Sequence, residues 1–226
     1  MRDELASAIG RRALVHRALG DETRLAIVDA LWAGDHTPVQ LGAMTGLGSS
    51  LLAFHLDVLE EAGLVSRHRS QGDGRRRYVT LESVAVPFVM TEMPISLVVD
   101  SVLFVCTHNA ARSQFAAALW RQRTNGAAVS AGTQPADRVH PHAVAVAADH
   151  GLDLSDARPR HLADIGVPPD LVVSVCDRAN ESVLPLAAAH RHWSIPDPLG
   201  ADRRTFEAAY RAIADRIERL ASETAA

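Results

Sequence analysis

Lysine is missing from this chain of 226 residues, and all 23 of its basic residues are arginine. That absence excludes Schiff-base catalysis and a phosphate-binding Walker lysine. Cysteine is scarce too, with only Cys106 and Cys176. Two such residues cannot build the disulfide framework of a small secreted domain, and in a reducing compartment sparse cysteines are catalytic, redox-active or simply buried. No apolar run approaches the roughly 18 residues that span a bilayer, and the N-terminal MRDELASAIGRR lacks the apolar core of a signal peptide. A cytoplasmic location is therefore expected. A global basic signature is lacking as well, because the formal net charge is −4. With 47% hydrophobic residues the chain can still bury a real core, as one large domain or two small ones.

Charge becomes informative where it is concentrated, since affinity for a polyanion depends on where guanidinium groups cluster. Between Arg67 and Arg77, RHRSQGDGRRR sets five arginines against the single acid Asp73. The segments before it read as short helices. LASAIGRRALVHRAL and GDETRLAIVDALWAG carry apolar residues at three and four spacing, with Asp21 as N-cap and Gly34 as stop. TPVQLGAMTG predicts a short helix, a turn follows at Gly46 to Gly48, and SSLLAFHLDVLEEAG predicts a second helix with Leu52, Leu56 and Leu59 on one face, ended by Gly63. LVSRHR and RRRYVTL are β-type runs joined by SQGDG, whose Asp-Gly signals a hairpin turn. Helix, turn, helix and basic hairpin outline a winged helix-turn-helix.

ESVAVPFVMTEMP, with Pro87 and Pro94, breaks the periodicity, which predicts a domain boundary near residues 92 to 98. Beyond it the pattern changes. SLVVDSVLFVC, AAVSAG and DLVVSVC read as buried strands, RSQFAAALWRQR and HPHAVAVAADHG as helices, and the chain closes on the long amphipathic ADRRTFEAAYRAIADRIERLAS. Strands alternating with helices imply an α/β fold, a three-layer domain with a parallel sheet covered on both faces. The domains expected are 1–95 and 98–226.

Cys106 follows the strand-like SVLFV, where ligands of open α/β sheets bind. The loop Cys106, Thr107, His108, Asn109, Ala110, Ala111, Arg112, Ser113 runs from strand into helix, so its backbone N–H groups can converge on an oxyanion at the positive end of the helix dipole. Arg112 can clamp two oxygens of that anion bidentately. The same field favours a thiolate at Cys106, to whose sulfur Ser113 can donate a hydroxyl. A thiolate facing a bound oxyanion suits displacement at phosphorus or arsenic. In HWSIPDPLG, Asp197 lies on a loop between two prolines, where a carboxyl can protonate a leaving oxygen.

On Cys106, Asn109, Arg112 and Ser113, on SAGT at 130–133 and on Asp197-Pro198, residues 100–222 resemble the low-molecular-weight protein tyrosine phosphatase superfamily, which includes the thiol-coupled arsenate reductases. The resemblance implies Cys106 as nucleophile, Arg112 as oxyanion clamp, Asp197 as general acid and Asn109 as stabiliser of the loop. VCDR and HWSIPDP look more like the reductase branch. Reductases that relay electrons over three of their own cysteines have one near Cys176 and another shortly after, where this chain has Ser182, Val183 and Leu184. THNAARSQ instead is similar to reductases served by an external thiol, so mycothiol with mycoredoxin, or thioredoxin, is the expected reductant. No bound cofactor is expected. Cys176 is a possible resolving thiol or a packed residue at a strand end.

ALGDETRLAIVDAL and FHLDVLEEAGLVSRHRSQGDGRRRYVTL resemble the ArsR family of dimeric winged-helix repressors over residues 10–85. That resemblance implies DNA as partner, a homodimer through this domain, Ser49, Ser50 and His55 as base readers, and Arg75, Arg76 and Arg77 as phosphate contacts. Where many relatives have serine and a polar residue before the histidine, this chain has Ala53 and Phe54, so base specificity does not carry over. The domain has no cysteine for a soft-metal site, and His140, His142, His190 and His192 read as loop histidines, so no metal is expected. The expectation for the whole chain is an arsenate reductase fused to an ArsR-type regulator. A low-molecular-weight phosphatase and a repressor with a non-catalytic oxyanion or redox sensor are the alternatives.

Overall fold

The computed structural model describes residues 2–89, 98–167, 169–182 and 189–224. The expected boundary at 92–98 falls almost wholly on 90–97, outside the described residues. The chain divides into two compact units, residues 2–69 with 75–89, and residues 70–74 with 98–224.

In the first unit, α1 (Arg2–Leu19), α2 (Glu22–Ala33), α3 (Pro38–Thr45) and α4 (Ser49–Glu61) precede the antiparallel hairpin of β1 (Val65–Arg69) and β2 (Arg77–Leu81). Local chemistry sets these boundaries. The Asp21 carboxylate accepts the Arg24 N–H at 3.0 Å, capping α2. Thr37 and Gln40 form a reciprocal capping box at α3, with Pro38 in the first turn. Gly46 (φ 71°) supplies the left-handed residue that ends α3. Leu52, Leu56 and Leu59 bury the inner face of α4 against Ile27, Leu31 and Leu41. Removing such a side chain to alanine costs about 2–5 kcal/mol.

Three expectations need correction here. The Asp-Gly pair does not form a tight hairpin turn, because neither Asp73 nor Gly74 has the positive φ that such a turn requires. The connection instead runs from Ser70 to Arg76, and residues 70–74 are part of the second unit. The stretch after β2 is not wholly irregular, since a 3-10 turn (Ser83–Ala85) and α5 (Val86–Val89) occupy it. The five-arginine cluster is also thinner than its sequence suggests. Arg67 pairs with Glu60 and with Asp57 (2.7 Å), which raises its pKa and spends its charge within the unit.

The second unit is built on parallel strands β3 (Ser101–Cys106), β4 (Ala127–Gly132), β5 (Leu171–Ser174) and β6 (Ala189–His192), in the order β4-β3-β5-β6. His190 and His192, expected in a loop, lie in β6, and His142 likewise sits in a helix. Residues 96 and 97 of the run expected as a strand lie outside the described residues, residues 98–100 are not strand, and β3 begins at Ser101. There the N–H groups of Asp100 and Ser101 donate to the Asp170 carboxylate (3.0 and 2.8 Å), pinning the start of β3 beside β5. Around the sheet lie α6 (Arg112–Thr124), α7 (Pro141–Asp149), the short α8 (Asp177–Glu181) and α9 (Arg203–Thr224). Phe206, Tyr210, Ile213, Ile217 and Leu220 line one stripe of α9 at three and four spacing and join Phe104, Phe115, Trp120 and Trp193 in the core. Because β3 is followed on one side by β4 and on the other by β5, the order reverses at β3, and the crevice at the carboxyl ends of β3 and β5 is the position where such sheets bind ligands.

Candidate active site

Cys106 ends β3 inside that crevice and is buried, with 1% of its surface exposed. Its sulfur faces two groups able to donate to it, the Asn109 N–H at 3.2 Å and the Ser113 hydroxyl at 3.1 Å. Asn109 takes the left-handed conformation (φ 49°), which asparagine tolerates better than most residues. Its side chain donates to Ser113 Oγ at 2.7 Å and accepts the Arg160 N–H at 2.9 Å, while its carbonyl accepts Gln114 Nε2 at 3.0 Å.

The loop's peptide planes are oriented by the segment after β4. The carbonyls of Cys106, Thr107, His108 and Ala110 accept N–H groups from Thr133 (3.1 Å), Gln134 (2.8 Å), Ala136 (2.9 Å) and His140 (2.9 Å). In a planar trans peptide the following N–H points the opposite way. The N–H groups of Thr107, His108, Asn109 and Ala111 are thereby turned away from that segment, as an anion cradle needs. Gly132 permits the approach, since a Cβ there would lie 2.7 Å from the Thr107 carbonyl oxygen and 3.1 Å from the Asn109 nitrogen. This gives the SAGT motif its physical reason.

Arg112, in the first turn of α6, is buried. One guanidinium nitrogen donates to the Ile195 carbonyl at 2.9 Å and another lies 3.0 Å from Asp197 Oδ1. Arg112 and Asp197, 85 positions apart in the chain, thus meet at a cavity of about 500 Å³ that Gln71, Thr107, His108, Cys176, Asp177, Arg178 and Leu199 also line.

Cys176 is buried, and it lies past the end of β5 as N-cap of α8, with its sulfur 3.4 Å from the Thr107 hydroxyl. Burial pushes its thiol pKa up and the neighbouring Cys106 adds to this, against the Arg112 charge. Ser182 caps α8, while Val183 and Leu184 lie outside the described residues. Behind Cys176 stands Asp177, which sequence reasoning passed over. Burial opposes its charge, yet hydrogen bonds from His192 (3.2 Å), Ser194 (2.5 Å) and the Gln71 N–H (2.7 Å) outweigh burial and lower its pKa.

In the first unit, Ser49 and Ser50 are exposed at the start of α4 and Arg75, Arg76 and Arg77 are exposed on the hairpin. His55 does not join them. It is 7% exposed, with ring Nδ1 3.7 Å from the Asp21 carboxylate at the N-cap of α2. One turn of the same helix instead presents Phe54, 57% exposed.

A parallel sheet carrying a cysteine-arginine oxyanion loop and an aspartate at its mouth defines a thiol-nucleophile enzyme of oxyanion chemistry. The chain belongs to the low molecular weight phosphotyrosine protein phosphatase family, whose model matches residues 101–226. Residues 21–67 match the arsR family of bacterial regulatory proteins, so the chain joins the two. An arsenate reductase of Brevibacillus brevis is 35% identical over 128 residues, covering 54% of this chain and 93% of its own. An arsenate reductase of Bacillus cereus is 33% identical with the same coverage. Among solved structures, an arsenate reductase from Archaeoglobus fulgidus aligns with a TM-score of 0.50 and 34% identity, over 54% of this chain and 98% of that one.

Proposed function

We propose that the second unit reduces arsenate to arsenite and that the first is a DNA-binding regulator of the arsR type. The observation that carries the reading is the Arg112–Asp197 pair beside the loop that begins at buried Cys106, with the Cys176 sulfur against Thr107 of the same loop. Cys106 attacks arsenic, an S–As bond forms and an As–O bond breaks. Asp197, protonated beforehand from solvent, gives its proton to the departing hydroxide, which leaves as water. A second thiolate then attacks the Cys106 sulfur. The new S–S bond leaves the S–As electron pair on arsenic, which departs as arsenite, and two thiols have become a disulfide.

The second thiolate is an external low-molecular-weight thiol or Cys176. Burial, with Cys106 nearby, raises the Cys176 thiol pKa, and Arg112 opposes this. A thiol-reductant protein of the mycoredoxin or thioredoxin class then restores the dithiol. The chain works in the cytoplasm as a homodimer through its first unit, with the exposed face of α4 in the major groove and Arg75, Arg76 and Arg77 on phosphates. Light scattering should therefore give about twice the 24.3 kDa of one chain.

The test is arsenite production from arsenate with mycothiol/mycoredoxin and thioredoxin systems in parallel, for wild type, Cys106→Ser and Cys176→Ser. Cys106→Ser is expected to be inactive. Activity of Cys176→Ser with mycothiol alone assigns the second step to the external thiol. Wild-type protein that forms no arsenite with either system sinks the reductase reading.

A further inference from the structure

The turn between β1 and β2 belongs to the second unit, and the reason lies in five hydrogen bonds that tie it there. Ser70 Oγ donates to Glu181 Oε1 at 2.7 Å and accepts the Gly72 N–H at 2.8 Å. The Asp73 N–H donates to Glu181 Oε2 at 2.5 Å. The Gln71 N–H donates to Asp177 Oδ2 at 2.7 Å, and its carbonyl accepts Arg178 Nε at 3.1 Å. Finally, the Gln71 side-chain oxygen accepts the Asp197 N–H at 2.7 Å. Steric fit adds an independent constraint. A Cβ on Gly72 would come within 3.0 Å of Glu181 Cδ and 3.2 Å of Arg178 Cα, so the turn lies against α8 as closely as a bare backbone allows.

Gln71 therefore touches both elements that flank the oxyanion cradle. Its backbone is tied to the start of α8, directly after Cys176, and its side chain to the backbone of Asp197. Two prolines flank Asp197, and neither has an N–H to anchor the loop, so the Asp197 N–H is the donor available there to fix where the carboxyl points.

We propose that Gln71 is a positioning residue of the active site, supplied from the hairpin turn, which holds the Asp197 backbone so that its carboxyl meets Arg112 and the oxyanion. The inference rests on the assignment of Asp197 as proton donor in the proposed function. A carboxyl held by its own backbone needs no search at the moment of transfer, whereas a loop free to drift loses proton-transfer geometry without losing the anion cradle. The loss thus falls on kcat while KM, set by Arg112 and the loop N–H groups, stays nearly unchanged.

The test uses the full chain, as wild type, Gln71→Ala and Gln71→Glu; Glu keeps an acceptor oxygen at the same reach. Amide hydrogen exchange at Asp197 is read by NMR alongside arsenate turnover. In Gln71→Ala the Asp197 amide is expected to exchange roughly five- to tenfold faster, the effect of one lost hydrogen bond, with kcat down about tenfold and KM within about twofold. In Gln71→Glu the amide should keep its wild-type exchange rate. An Asp197 amide that exchanges equally fast in wild type and Gln71→Ala overturns the inference, as does faster exchange with kcat unchanged. If wild type does not reduce arsenate, the proposed function has failed, and the exchange rates alone decide whether Gln71 holds the Asp197 loop.

Discussion

Arg112 Nη2 and Asp197 Oδ1 stand 3.0 Å apart at the mouth of the candidate active site, joining the two residues to which the proposed function gives the oxyanion clamp and the proton donor. Under the proposed function an arriving anion competes with Asp197 for the guanidinium, which couples anion binding to release of the carboxyl.

That coupling predicts opposite effects on affinity from the two partners. Asp197→Asn removes the competitor, so phosphate should bind as tightly as in wild type or a few-fold tighter while turnover falls about 100-fold. Arg112→Lys loses the planar fork, and phosphate affinity should fall at least about tenfold. Isothermal titration with phosphate and arsenite assays separate the two; weaker binding in Asp197→Asn would contradict the competition.

Gly132→Ala tests the packing that turns the loop's N–H groups inward. The added methyl meets backbone, the Thr107 carbonyl at 2.7 Å, which cannot rotate aside as a flexible side chain can. Phosphate affinity should drop more than about tenfold and the melting temperature by several degrees. Unchanged phosphate binding would show that the cradle tolerates displacement of Thr107.

Asp177 sets an acid limit on stability. Its pKa is lowered in the folded chain, because hydrogen bonds from His192, Ser194 and Gln71 outweigh burial. The stabilisation is therefore fully present above the unfolded-state value, about pH 4, and is lost as pH falls through the lower folded value. Urea melts between pH 7 and pH 3 should show wild type losing stability faster at the acid end than Asp177→Asn. Parallel curves would place the acid sensitivity elsewhere.

In the first unit, α4 buries His55 and exposes Phe54, so the exposed aromatic is the one expected to carry base contact under the proposed function. Phe54→Ala should weaken operator binding by about 1–3 kcal/mol through lost base contact. Arg77→Ala should weaken binding to any sequence and reduce the salt-dependence slope by about one. Fluorescence anisotropy across salt concentrations reads both, and an unaltered affinity in Phe54→Ala would remove α4's aromatic from the interface.

Much of the local structure was legible in the sequence because its causes are local. Asp21, Thr37 and Gly46 cap or end helices through bonds to residues within a turn, and Leu52, Leu56 and Leu59 mark a buried face by spacing alone. The Cys106 to Ser113 loop was readable for the same reason, since Asn109, Arg112 and Ser113 act within seven positions of the sulfur. The strand β6 was missed because AHRH carries the polar residues of an edge strand, which periodicity does not distinguish from a loop.

The sequence by itself determined that Cys106 closes a strand, that a strand-to-helix turn carries it, and that an arsR-like helix-turn-helix precedes it. Only the tertiary structure decided that Cys176 faces Thr107, that four loop carbonyls turn toward residues 133–140, that His55 lies inside and that Gln71 reaches Asp197. Those contacts join residues tens to more than a hundred positions apart. Strand order and register bring them together, and no local pattern of residue types encodes which distant backbone a given side chain will meet.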